Sequence, residues 1–189
     1  KLKRTYEAGT RLIAEIKDEI MYLESIINAI DIATTENDLN NIKDELAVTG
    51  YIKRSGKSKS KGNTHNKPMH YVSSDGFDIY VGKNNIQNDE LTFKFATGGD
   101  WWFHAKQMPG SHVIVKTEGK ELPDKTFEEA AALAAYYSKG RDLEKVEVDY
   151  VLKKEVKKPA GAKPGFVVYY TNYSLIAIAD ISGIRLISG

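Results

Sequence analysis

Asp100-Trp101-Trp102-Phe103-His104-Ala105-Lys106-Gln107-Met108-Pro109-Gly110-Ser111-His112-Val113-Ile114-Val115-Lys116-Thr117 is the stretch that decides the fold class. Asp100–Lys106 and His112–Thr117 are rich in aromatic and β-branched residues, which suit pleated strands, and they flank a Pro-Gly pair. Proline fixes the first φ of a type II turn and glycine supplies the positive second φ, so Gly110 is expected in the left-handed region. Simple pairing across that turn sets Gln107 opposite His112 and His104 opposite Val115. Along the first strand Trp101 and Phe103 point one way and Trp102 and His104 the other, so one pair is expected in a core and the other at a surface.

Working outward, His70–Ser73 and Phe77–Val81 flank Ser74-Asp75-Gly76 and form a hairpin pattern. Asn88 is placed to cap a short helix over Asp89–Ala96. Thr126 and Glu129 have capping-box spacing at the head of an Ala-rich helix that ends at Gly140. Val146, Val148, Tyr150 and Leu152 alternate with Glu147, Asp149 and Lys153, as in a half-buried strand. Phe166–Tyr170 and Leu175–Asp180 complete the strands, with Ile184–Ile187 as an addition. Residues 69–189 are therefore expected to be an α+β domain with a mainly antiparallel sheet and two helices.

Upstream, Ile13, Ile16, Ile20, Leu23, Ile27 and Ile30 recur at steps of three and four, the spacing of a coiled-coil seam. Thr34 or Thr35 can cap a second helix, Asp38 has capping-box spacing from Thr35, and Leu39, Ile42 and Leu46 continue a stripe to Gly50. Residues 1–52 are expected to form an antiparallel helical hairpin closed by this stripe, the alternative being a seam kept for another protein. Residues 53–68 carry Lys53, Arg54, Lys57, Lys59, Lys61 and Lys67 with no acid and form a basic flexible linker, either a plain tether or a phosphate-binding segment.

The whole chain has 189 residues, 27 Lys plus Arg against 26 Asp plus Glu, and no cysteine. Disulfides, thiolate metal sites and cysteine nucleophiles are excluded. No apolar run reaches the ~20 residues of a membrane span, the N-terminus lacks a signal peptide's apolar core, and a first residue of Lys suggests a fragment. No nucleotide-loop, nucleophile-elbow or metalloprotease motif occurs, so neither catalysis nor a cofactor is expected. With His104 set opposite Val115, a metal shared with His112 lacks geometry.

Charge is local where the net balance is neutral. Lys157-Lys158-Pro159-Ala160-Gly161-Ala162-Lys163-Pro164-Gly165 is expected to protrude as a cationic loop, and two basic segments favour an anionic polymer as partner. Gly82-Lys83-Asn84-Asn85 opens into a helix and can offer N–H groups to phosphate. An aromatic left exposed beside Lys106 can stack on an unpaired base. The candidate nucleic-acid-binding residues are thus Lys83, Asn84, Asn85 and Trp102. His104, Lys106, Ser111 and His112 join them, with Lys157, Lys158 and Lys163 from the loop.

The run Asp78–Thr92, then Asp100, Trp102, His104-Ala105, Pro109-Gly110-Ser111-His112-Val113, Lys157-Lys158-Pro159, Gly161 and Pro164-Gly165 resembles the NFACT-R domain. This is the C-terminal part of the RqcH/FbpA proteins, also called fibronectin-binding proteins, and of NEMF. The likeness runs from about Tyr71 to Gly189, and the helices before it resemble the second half of the family's middle coiled coil. The resemblance implies a non-enzymatic, cytoplasmic ribosome quality-control factor that binds the large ribosomal subunit and tRNA. It recruits alanyl-tRNA to add an alanine tail to a stalled chain. Streptococcal members are also described as surface adhesins that bind fibronectin without a signal peptide, which is the alternative implied here.

Overall fold

In the computed structural model, residues 2–53 and 67–189 are described. The basic stretch 53–68 expected as a linker lies outside the described residues except at its ends. Helix α1 spans Leu2–Ile32 and helix α2 Glu36–Val48. Thr35 caps α2 through the full reciprocal box with Asp38, which supplies N–H partners that a helix start otherwise lacks. The helices run antiparallel: the Tyr22 hydroxyl donates to Glu45 at 3.0 Å, and Ile26 and Ala29 pack with Ile42.

The expected seam does not close this hairpin. Ile13, Ile16, Ile20, Ile27 and Ile30 are 47–58% exposed, whereas Tyr22, Ile26 and Ala29 are buried. A step of one residue turns a helix by about 100°, so the contact face and the apolar stripe point in different directions. The contact face wins because it meets α2 and also the sheet domain, through Ser25 and Asn28.

Seven strands form one sheet: β1 Met69–Val72, β2 Asp78–Val81, β3 Trp101–Ala105, β4 Val113–Val115, β5 Val146–Leu152, β6 Tyr173–Ala177 and β7 Arg185–Ser188. Their order is β6-β5-β3-β4-β2-β1-β7, and every pairing is antiparallel. Helix α3, Asn85–Glu90, runs into a π-helical turn at Leu91–Phe95, and α4 is Asp124–Tyr136. The α+β class with a mainly antiparallel sheet and two further helices stands as expected.

Both faces of the sheet are covered, so each aromatic pair of β3 has one fully buried member, Phe103 or Trp102, and one partly buried member, Trp101 or His104. Phe103 packs with Val113, Val115 and Leu133 under α4, while Trp102 packs with Ile114, Val151 and Leu91 on the other side. Trp102 and Phe103 are both 0% exposed.

Local geometry departs from the sequence reading in four places. Asn84, and not Asn88, caps α3, its side chain accepting from the Gln87 N–H at 2.9 Å. Thr126 and Glu129 make no capping box; they bind the β1–β2 turn, the Thr126 hydroxyl donating to Asp75 and Glu129 accepting from the Ser74 N–H. Gly110 has no positive φ, and Gln107, at φ +55°, takes the left-handed position in that loop. Residues 166–170 form no strand, because β6 already occupies the edge of β5 from Tyr173 to Ala177. Their ladder contact is a two-bond bridge between Lys157 and Val168.

Candidate nucleic-acid interface

Strands β3 and β4 pair with Phe103 opposite Val113, and the next residues along are His104 and His112. The loop between the strands is thus longer than a simple Pro-Gly turn allows, and it brings together the two imidazoles that simple pairing holds apart. Their rings lie 5.5 Å apart and perpendicular. Trp102 stacks on His104 at 5.6 Å and meets His112 edge-on at 5.1 Å.

These histidines are uncharged. Burial drives His104 down to about 4, against the carbonyls of Gly110 and Ala105 and the charge of Asp149 that favour its cation. Burial and then the neighbouring His104 hold His112 well below the usual imidazole value. The His112 Nδ1 lies 2.8 Å from the Thr92 hydroxyl, and its backbone N–H donates to the Asn88 side chain at 3.0 Å. Among the described residues no group of three or more His, Asp or Glu side chains is placed to share a metal ion.

A cleft of about 430 Å³ opens over this cluster. Trp102, His104 and His112 form its sheet wall, Phe166 and Tyr169 its loop wall, and Asp18, Glu19 and Tyr22 of α1 its third side. The loop wall is held firmly. Lys158 donates to Asp89 at 2.8 Å and to the Lys163 carbonyl at 2.6 Å, and the Gly165 N–H donates to Asp89 at 3.2 Å. Lys163 reaches across to Glu19 of α1 and donates to the Tyr51 hydroxyl at 2.7 Å. Gly165 has φ +78°, and a Cβ there would stand 2.5 Å from Asn85 Oδ1, so both conformation and space require glycine.

Several sequence-chosen candidates turn inward. Lys83 is 4% exposed and pairs with Asp38 of α2 at 3.4 Å. Asn84 is spent as the cap, and Asn85 donates to Ser25 and to buried Glu45 at 2.8 and 2.9 Å. Burial pushes the Glu45 carboxyl up, against the bonds from Asn85 and Tyr22. Ser111 is buried, its N–H donating to the Tyr137 carbonyl at 3.0 Å. Lys106 is engaged by Glu147 at 2.5 Å and Asp149 at 3.8 Å. Of the loop lysines Lys157 alone is exposed and without an ion pair among the described residues, a property it shares with nearby Lys154. Nothing local in the sequence marks Asp18, Tyr22, Phe166 and Tyr169 as site residues; the docking of α1 against a distant loop places them at this cleft.

The profile of the NFACT protein RNA binding domain matches residues 67–171, and that of the NFACT N-terminal and middle domains matches residues 1–65. The chain belongs to the NFACT family. Its NFACT relatives include the Rqc2 homolog RqcH of Streptococcus suis, 46% identical over 89% of this chain and 30% of the relative. The Rqc2 homolog RqcH of Bacillus subtilis is 37% identical over 95% of this chain and 31% of the relative. The chain thus spans about a third of these NFACT proteins. The solved C-terminal part of the fibronectin/fibrinogen-binding protein of Streptococcus suis superposes with a TM-score of 0.87 at 43% identity. That likeness covers 96% of this chain and 72% of the solved one. The NFACT RNA-binding profile takes in β1 to β5, α3, α4 and the cleft's loop wall; β6 and β7 follow it.

Proposed function

We propose that this chain is the tRNA- and large-subunit-binding portion of a ribosome quality-control factor, and that it performs no catalysis itself. The observation that carries the proposal is the match of an RNA-binding domain profile over the residues that build the sheet and its cleft. Relatives called Rqc2 homologs point the same way. In this reading the whole protein recruits alanyl-tRNA and the ribosome forms the peptide bonds of the alanine tail. Both neutral histidines then serve packing and recognition.

Phosphates would be met by exposed lysines with no ion pair, of which Lys154 and Lys157 lie beside the cleft's loop. Each phosphate contact adds about 0.7–0.9 to the slope of log affinity against log salt. Changing both lysines to Ala should flatten that slope for tRNA by roughly 1–2 units, read by fluorescence anisotropy from low to moderate salt. An unchanged slope removes these lysines from the interface. Lys158 and Lys163 are poor choices for this test, since each ties two parts of the fold together.

A second reading rests on the Streptococcus suis structure described as a fibronectin/fibrinogen-binding protein. It predicts saturable binding to immobilised fibronectin. Fibronectin binding without salt-sensitive binding of tRNA or ribosomal subunits would favour it.

A further inference from the structure

We infer that the cleft over Trp102 and His104 is a receptor for one unstacked nucleobase, preferring bases that carry an exocyclic amino group. The inference rests on the RNA-binding reading and adds to it which part of the polymer enters the protein. Four observations lead there.

The first is an unmet donor. Trp102 lines the cleft and is 0% exposed, and its indole N–H has no acceptor among the described residues. A buried N–H without a partner is costly, so a ligand atom able to accept from it gains more than a surface hydrogen bond would give. The second is the aromatic lining of Tyr169, Phe166 and the uncharged His104, which suits a flat ring.

The third is the charge of the mouth. Among the described residues the one cation in the lining, Lys163, is already bound to Glu19 and the Tyr51 hydroxyl, whereas the Asp18 carboxylate forms no ion pair with any of them. Among the described residues a phosphate entering the cleft would meet carboxylates and no free ammonium, so this lining suits a base edge better than the backbone. A base edge bearing N–H groups can donate to Asp18 while its ring nitrogen or carbonyl accepts from Trp102. Adenine, cytosine and guanine set an amino donor beside a ring nitrogen or carbonyl acceptor, whereas uracil's N3–H is flanked by two carbonyl oxygens that a carboxylate repels.

The fourth is rigidity. The loop wall is fixed by Asp89, Glu19 and the Lys157–Val168 bridge before any ligand arrives, so little ordering remains to be done on binding.

Indole-resolved ¹H–¹⁵N NMR of the 189-residue chain tests this directly, with Trp101→Phe used to assign the Trp102 signal. The probes are a 12-nucleotide oligo(rA), an oligo(rU) and an abasic ribose-phosphate strand of equal length. The Trp102 N–H resonance should move downfield with oligo(rA) and stay still with the abasic strand, and oligo(rA) should bind at least ten-fold more tightly. Asp18→Ala, on an exposed helix face, should abolish the preference of rA over rU. Ala162→Trp, which fills the cleft from the loop side, should remove the ten-fold advantage of rA while leaving the salt slope intact. Equal affinity for the oligo(rA) and abasic strands with an unmoved Trp102 signal would overturn the base receptor and leave RNA binding standing. No binding of any strand would overturn both.

Discussion

His104 shows how one residue couples the site to stability. Folded, it stays neutral down to about 4; unfolded, it takes a proton below its ordinary value of 6.5. Between those values the unfolded chain holds more protons, so stability is full above pH 6.5 and is lost as pH falls toward 4. His112 acts in the same direction. Each such group contributes up to about 1.4 kcal/mol per pH unit inside its window. Replacing His104 with Phe keeps a ring against Trp102 and should reduce the acid slope by up to one proton. Urea unfolding at pH 7, 6 and 5 measures it, and an undiminished slope would show that His104 does not titrate on unfolding. Gly110 gives a second prediction at this scale. Its φ is ordinary, but a Cβ would meet the Ser138 Cβ at 3.0 Å, so Gly110→Ala should destabilise by roughly 1 kcal/mol through contact and not backbone strain. Gly110→Ala combined with Ser138→Gly should then recover much of the loss in a thermal melt.

Among the elements, the long helix separates its apolar stripe from its buried face. Ile20 is 52% exposed, so Ile20→Asp should leave far-UV CD unchanged and move the unfolding free energy by about 0.5 kcal/mol or less. Ile26 is 4% exposed against α2, and Ile26→Asp should cost several kcal/mol because the charge is buried without a partner. Thermal melts of the two variants side by side decide between stripe and contact face. Periodicity found the helix but not its buried side, since spacing shows that an apolar stripe exists and cannot show what covers it. The same division runs through the sheet domain. Strands β1, β2 and β5 were legible because alternation and turn residues are local. The β3–β4 register was not: Pro109-Gly110 has the composition of a tight turn, yet Gln107 and a longer loop set the pairing, and with it the meeting of His104 and His112. Thr126 and Glu129 carry a capping spacing that the β1–β2 turn uses instead. Trp102 and His104 are legible from residue type and from the family resemblance, whereas the acidic wall of the cleft depends on residues more than eighty positions away along the chain.

On the scale of the whole chain, the helical hairpin and the sheet domain are joined by buried polar contacts. Lys83 with Asp38, Asn85 with Glu45, and the Asn28 side chain with the Tyr137 carbonyl all cross this boundary. Lys83→Met would leave Asp38 in the interior without its ammonium, a change on the order of 3 kcal/mol. It should also turn one cooperative unfolding transition into two, since the hairpin would lose its grip on α3; calorimetry that still shows a single transition would count against this coupling. The pairing of β1 with β7 has a consequence in time. His70 faces Ser188 and Val72 faces Arg185, so the first strand of the sheet takes its outer neighbour from the last. Translation at about 5–20 residues per second would separate those two strands by roughly ten seconds. Throughout that interval the emerging domain carries β1 as an unsealed edge, open to pairing with any other extended chain nearby. Synthesis speed thereby becomes a determinant of how much of this protein reaches its native form.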